Sequence, residues 1–357
     1  MGLTKDLNNR ALWLSSFDEP LSIVDLPIPE ANAGTVVIQV LAAPIVPYTN
    51  LVHSGKLPQL NLSLPLVPNP NAIGRVHAVG PDATKIKLGD LVYADATIRA
   101  REDPDVAIMS GHHGGEGPQG QRLMKGEWRD GSLSSSRRSL LQSIAHYSVA
   151  GGATMEAADV RVAETVIIGP SGGSFGGLAV EVALTLGANV IALRRNEVKL
   201  KEMKEKLNGH PRLSYVVMTC DDDADTEAIL RATPNGSGAH VYNDWTPGTL
   251  DEAPFLYAAV RALKREGRVV LSGGTPGNIR IPYAFAVHKG LKIIGKWMCS
   301  RKTLELLVSM IEQGVLQIGE ETGTETSVFG LEDHEKAIEH AAQAGGWRKY
   351  TVIAPNV

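Results

Sequence analysis

The segment Thr165-Val-Ile-Ile-Gly-Pro-Ser-Gly-Gly-Ser-Phe-Gly-Gly-Leu-Ala-Val-Glu-Val-Ala-Leu-Thr-Leu-Gly187 constrains this 357-residue chain more than any other stretch. A β-branched run fit for burial on both faces meets a glycine-rich turn, and an Ala/Leu/Val helix pattern follows, ending at Gly187. A second strand pattern, residues 190–193, returns at the spacing of a βαβ unit. Gly173 and Gly176 stand three apart, where a backbone without side chains lets a pyrophosphate reach the helix N-terminus. The unpaired N–H groups there stabilise its charge. The turn as a whole, Pro170, Ser171, Gly172, Gly173, Ser174, Phe175 and Gly176, is expected to cradle a dinucleotide. A glycine-rich turn with no ligand is the alternative these residues allow.

The second strand pattern runs into Arg194-Arg195-Asn196. In such a unit an Asp or Glu at this place holds the ribose 2′-hydroxyl of NAD, whereas an arginine accommodates the 2′-phosphate of NADP. Two arginines and no acid predict NADPH, because guanidinium groups match phosphate bidentately. Two solvated arginines in a loop are the plainer reading. Ligands of such sheets lie at the carboxyl ends of the strands, so Asn243 and Gly273-Gly274 join the expected cofactor site.

The rest of the chain frames this unit. Residues 215–218, 240–242, 268–272 and 292–294 read as further strands, with helical patterns over 197–207 and 303–313, and strands alternating with helices make a parallel sheet. Before about residue 94 the pattern differs: short β-rich runs at 11–14, 36–41, 73–79 and 91–93, separated by Gly and Pro turns, predict an irregular β domain. Residues 98–138 are polar and glycine-rich with no readable period, and are expected to form a long loop, functional or mobile. A final helix and strand follow at 331–344 and 350–354.

Composition excludes several classes. Apolar residues make up 43% of the chain and charged ones 21%, enough for a large core without cross-links. The formal net charge is −4, no Lys/Arg-rich run occurs, and nucleic acid is not an expected partner. Cys220 and Cys299 alone cannot build a disulfide framework or a cysteine-rich zinc cluster. The polar first residues and the lack of any apolar run of membrane-span length predict a cytoplasmic protein with no membrane partner.

The order of parts, together with Pro65-Leu-Val-Pro-Asn-Pro-Asn-Ala-Ile-Gly-Arg-Val-His-Ala-Val-Gly-Pro-Asp82, Leu88-Gly-Asp-Leu-Val92, the glycine turn and Leu263-Lys-Arg-Glu-Gly-Arg-Val-Val-Leu-Ser-Gly-Gly274, resembles the medium-chain dehydrogenase/reductase superfamily. Phe329-Gly-Leu-Glu-Asp-His-Glu-Lys-Ala-Ile-Glu339 adds to the resemblance, which covers nearly the whole chain. It implies an α/β fold: a GroES-like β-rich catalytic domain at 1–139 with a C-terminal return at 315–357, and a Rossmann doubly wound parallel sheet at 140–314. Zinc members carry Cys, His and Glu at the catalytic site. Here Ala43-Pro-Ile-Val-Pro-Tyr-Thr-Asn50 has no cysteine and the His-Glu position reads Asn69-Pro-Asn71, so no metal is expected. The chain is most similar to the zinc-independent branch, near quinone oxidoreductases and fungal alcohol-dehydrogenase-like reductases. That branch implies NADPH-dependent reduction of a carbonyl or a conjugated C=C in a small-molecule substrate, and a homodimer.

The resemblance puts Tyr48 at the floor of the catalytic site as hydrogen-bond donor, with Thr49 as a weaker alternative, and brings Tyr147 toward the nicotinamide. Packing beneath the barrel is an equal reading for Tyr48, and packing in a wall is one for Tyr147. One departure matters. In the family a motif like Trp128-Arg-Asp-Gly-Ser132 leads into a strand and a connecting segment, but here residues 132–139 run almost directly into a helix-like stretch. The shortened segment supports a second expectation, a protein that keeps the cofactor-binding fold but performs a redox-neutral step or a binding role.

Overall fold

The structure, a computed structural model, describes residues 9–134 other than 96, 101, 104 and 127, and residues 144–355, with the side chains of 144 and 145 excepted. Most of the shortened segment, from 135 onward, lies outside the described residues.

The chain begins with β1 (Asn9–Trp13), β2 (Ser22–Leu26), β3 (Val36–Ile45), the short α1 (Thr49–His53), β4 (Ala72–Val79) and β5 (Leu91–Ala94). β6 (Thr97–Arg99), β7 (Ala107–Met109) and α2 (Gly117–Met124) follow. Then the rhythm changes to α3 (Ile144–Gly151), β8 (Thr165–Gly169), α4 (Ser174–Thr185), β9 (Asn189–Arg194), α5 (Glu197–Lys206) and β10 (Leu213–Val217). It continues with α6 (Asp222–Ala232), β11 (Ala239–Asp244), α7 (Leu256–Arg261), β12 (Leu263–Leu271), α8 (Tyr283–Lys289), β13 (Lys292–Gly295) and α9 (Arg301–Glu312). β14 (Glu325–Phe329), α10 (His334–Ala344) and β15 (Lys349–Ile353) close the chain.

These elements form two compact units. Described residues up to 134, Glu325–Gly345 and residues 349–355 make the first; residues 144–324 with Gly346–Arg348 make the second. The sequence placed the C-terminal return at 315; in the structure it starts at Glu325.

The second unit is an α/β layer structure. Its parallel sheet has the order β10-β9-β8-β11-β12-β13, so the chain winds outward from β8 to one side and then from β11 to the other. β8 is buried at every position, as a β-branched strand covered on both faces must be. Register places Gly169 beside Asp244, and Asp244 beside Leu271, so three strands end at one carboxyl edge. Ten of the twelve residues of α4 are buried, which is why its sequence is apolar all round. Polar caps fix the next helices: Asn196 accepts from the Lys199 N–H at 3.1 Å and Asp221 from the Ala224 N–H at 2.8 Å.

The first unit holds a five-stranded sheet, β14-β15-β3-β4-β5, with β3–β4, β4–β5 and β15–β3 antiparallel. Its core gathers Leu12, Val40, Ala43 and Ile45 under Ala337 and Ala341 of α10. The stretch 98–138, expected as a loop, carries more structure than its composition suggests. β6 pairs with β7 from Thr97↔Met109 to Arg99↔Ala107, and α2 buries Met124. The helix escaped notice because Gly-Pro-Gln-Gly-Gln-Arg-Leu-Met has no apolar 3.6-residue period. Glycine here serves close packing: a Cβ on Gly131 would lie 2.1 Å from the Asn69 carbonyl oxygen. No helix among the described residues is long and apolar enough to cross a membrane.

Candidate cofactor site

The site starts where β8 ends. The chain turns through Pro170–Gly172 and enters α4 with Gly173 as its cap, in extended conformation at φ −80° and ψ 169°. The N–H groups of the first helical turn have no partner within the helix and no acidic residue stands there. A Cβ built on Gly173 would meet nothing within 4 Å, so the space beyond this glycine is open. Gly176 is different. A Cβ there would lie 2.2 Å from the Pro170 carbonyl oxygen, so this glycine lets the helix sit against the strand end. Neither glycine needs a positive φ.

Arg194, at the end of β9, lies across the turn. A Cβ on Gly172 would come within 2.2 Å of the guanidinium carbon. Burial lowers its pKa from the usual value. Glu202, whose charge acts on it, is already paired with Lys199 at 2.7 Å. Arg195 is exposed, and neither arginine has an ion-pair partner among the described residues. The β9 end therefore offers two uncommitted guanidinium groups beside an open glycine turn.

The other predicted positions have structural duties. Ser171 is fully buried and its hydroxyl donates to the Leu193 carbonyl at 3.1 Å. Ser174 donates to the Gly346 carbonyl at 3.2 Å. Phe175 stacks between His146 and Trp245, with ring centroids 5.3 and 6.1 Å away. The Asn196 side chain caps α5. Asn243 is fully buried; its amide donates to the Val270 carbonyl at 3.3 Å and accepts from the Trp245 indole at 2.9 Å. Gly273 approaches backbone, since a Cβ would lie 2.3 Å from the Thr246 carbonyl oxygen, and the Gly274 N–H donates to that same oxygen at 2.8 Å.

Tyr147 is buried. Its hydroxyl donates to Glu181 at 2.6 Å, deep beneath α4. Glu181 also accepts from the Trp347 indole at 2.5 Å and from Arg348 Nε at 2.9 Å. The sequence analysis missed this cluster, although a lone carboxylate in an otherwise apolar helix signals a buried partner.

In the first unit, Tyr48 caps α1 and its ring tilts against that of His112, 6.0 Å between centroids. Burial pushes the Tyr48 phenol up to about 12. Burial, with the charges of His113 and His53, lowers His112 to about 4. Both groups are therefore neutral across the physiological range, the phenol as a donor. Thr49 is buried in the first turn of α1. His112, within the stretch expected as a loop, is part of this packed face.

Among the described residues none is grouped to hold a zinc ion. At the position of the family's His-Glu pair, the Asn69 amide donates to the Asn71 carbonyl at 3.0 Å and to Ser132 Oγ at 2.9 Å. Among the described residues no group of three or more His, Cys, Asp or Glu side chains is placed to hold a metal ion.

Comparison with known proteins follows this geometry. The alcohol dehydrogenase GroES-like domain matches residues 32–127, and the zinc-binding dehydrogenase family matches residues 175–313. An alcohol dehydrogenase of Geobacillus stearothermophilus is 27% identical over 321 residues, spanning 85% of this chain and 89% of the relative. A solved structure described as a zinc-binding dehydrogenase from Sinorhizobium meliloti, bound to NADP, superposes with a TM-score of 0.76 at 18% identity, over 98% of this chain and 99% of the other. One described as a short chain alcohol dehydrogenase from E. coli, complexed with NADH, gives 0.74 at 18% identity over the same shares. The shared fold thus accommodates either nicotinamide cofactor.

Proposed function

Because the chain belongs to the medium-chain dehydrogenase/reductase superfamily, we propose that it is a zinc-independent oxidoreductase that uses NADPH to reduce a carbonyl group or a C=C bond conjugated to one. The observation that carries this reading is the open glycine turn at Gly173 with Arg194 laid across Gly172 and no carboxylate at the end of β9.

The N–H groups at the start of α4 would take the pyrophosphate, and Arg194 with Arg195 the 2′-phosphate. Bound NADPH supplies the hydride. The protein's own chemistry is then to place a donor at the oxygen where negative charge develops. Tyr48 is that donor in this reading: its phenol stays protonated up to about 12 and gives its hydrogen to the developing oxyanion or enolate. His112, held neutral, packs the phenol ring without adding charge. Thr49 is the secondary donor on the same short helix. The absence of a thiol from residues 43–50 and the commitment of Asn69 to backbone and Ser132 support a reaction without zinc.

A homodimer belongs to the same reading. β13 ends the sheet, and Ile293 within it and Trp297 just beyond are 46% and 48% exposed. Such an edge strand can pair with its own copy. Sedimentation should give a dimer, and Ile293→Lys should shift it toward monomer.

The function is tested by following NADPH oxidation with quinones, enones and aldehydes. Turnover with one of these classes is expected, and Tyr48→Phe should lower kcat on the order of 10²–10³-fold, the usual cost of a lost oxyanion donor. Tight NADPH binding with no consumption by any class would instead favour the redox-neutral role.

A further inference from the structure

Past the end of α3 the helix widens into a π turn over Gly152–Ala157, in which the Ala158 N–H reaches the Ala153 carbonyl at 2.9 Å. The extra residue of such a turn swings every later side chain about 100° around the helix axis. Glu156 then meets the connection between β13 and α9. Its Oε2 accepts from Lys296 Nζ at 2.5 Å and its Oε1 from the Ser300 N–H at 2.7 Å, so one carboxylate ties both ends of 296–300. Burial opposes the charge, but the hydrogen bonds from Lys296, Thr303 and Ser300 outweigh it and hold the carboxyl at about 2.

Between these ties Met298 takes φ 58°, the left-handed region that side chains seldom adopt. A Cβ on Gly152, in the π turn, would lie 2.1 Å from the Met298 carbonyl oxygen, so glycine is what lets the two backbones approach. A conformation of this kind persists only where the surroundings over-determine it, and such segments cluster at ligand sites. The position agrees. The Lys296 N–H donates to the Leu271 carbonyl at 2.9 Å, which starts the connection at the same carboxyl edge as the glycine turn. β9 with its arginines lies to one side of β8, and β11, β12 and β13 lie to the other. A dinucleotide on such a sheet places one nucleotide on each side of the switch point. With its 2′-phosphate at the end of β9, its nicotinamide half falls over the ends of β11 to β13.

We propose that Glu156 is a positioning residue for the cofactor: it fixes the 296–300 backbone as the wall against which the nicotinamide half seats. The inference rests on the NADPH reading, and its test keeps the two apart.

Two probes divide the cofactor, NADPH itself and 2′,5′-ADP, which carries the adenosine 2′-phosphate but no nicotinamide. Each is titrated by calorimetry into the full-length wild type, Glu156→Gln and Lys296→Met, with a thermal melt of every protein. Glutamine keeps the size of the side chain and an acceptor for Ser300 but loses the charge that holds Lys296. Lys296→Met breaks the same tie from the other side and leaves the Ser300 bond in place. In both variants NADPH affinity should fall about tenfold, the scale of one charge-assisted hydrogen bond. Affinity for 2′,5′-ADP and the melting temperature should stay close to the wild-type values. Equal losses for the two probes, or a melting temperature far below the wild type in both variants, would assign Glu156 to the fold alone and overturn the inference. Undiminished NADPH binding in both variants would overturn it as well. A wild type that does not bind 2′,5′-ADP would instead remove the NADPH reading, and this inference with it.

Discussion

Gly173 and Gly176 look alike in the sequence, but the structure gives them opposite roles. At Gly173 the backbone is extended and the space beyond is open, so valine can be accommodated without strain. Its side chain would then stand where a pyrophosphate has to approach. Gly173→Val should keep the wild-type melting temperature within a few degrees and lose NADPH affinity. At Gly176 the added Cβ collides with the Pro170 carbonyl oxygen, so Gly176→Val should instead melt well below the wild type. Thermal melts of the two variants side by side check this, and equal melting temperatures would contradict it. Spacing alone could identify the turn but not which glycine borders open space, because the distinction depends on where Pro170 lies. The arginines could be read for a different reason: their proposed 2′-phosphate role follows from charge. Arg194→Ala/Arg195→Ala should cost NADPH roughly 1.5–3 kcal/mol, the scale of a charge-assisted contact, and leave NADH affinity unchanged. The proposed catalytic face was only partly legible. Tyr48 came from resemblance, whereas His112 packs on it through a fold contact that no local pattern encodes. With Tyr48 near 12 and His112 near 4, a rate governed by this pair should show no ionisation between those values. A kcat profile with a break near neutrality would remove Tyr48 as the titrating donor.

Among the elements, α4 shows how much the helix pattern conveys. Its apolar residues predicted burial, and burial is what they have. Its one carboxylate, Glu181, passed unremarked, yet it ties Tyr147, Trp347 and Arg348 together. Those partners lie far apart in sequence, from 147 to 348, so only the folded chain reveals them. Removing the carboxylate leaves Arg348 as a buried charge without a counterion. Glu181→Ala should therefore destabilise the protein by about 3–5 kcal/mol, read by denaturant unfolding. A loss under about 1 kcal/mol would mean the cluster is solvated and not structural. The strands of the parallel sheet were recognisable because hydrophobic runs of that length alternate with helices. The β6–β7 pair and α2 were not, since glycine-rich segments held by backbone approaches carry no hydrophobic period.

At the scale of the molecule, the chain order of a β-rich unit, a doubly wound sheet and a C-terminal return was readable from where the two periodicities change. The return was harder to place. Gly346–Arg348 belong to the second unit although α10 before them and β15 after them belong to the first, and Arg348 is anchored by the buried Glu181. The account rests on one site in this architecture, the glycine turn with its arginines, and on the cofactor it selects. The measurement that tests it most directly is fluorescence titration of the wild type and of Gly173→Val with NADPH and with NADH. The wild type should bind NADPH at least about tenfold more tightly than NADH, a difference of 1.4 kcal/mol or more, and the folded variant should bind neither. Equal affinity for the two cofactors in the wild type, or undiminished NADPH binding by the variant, would contradict it.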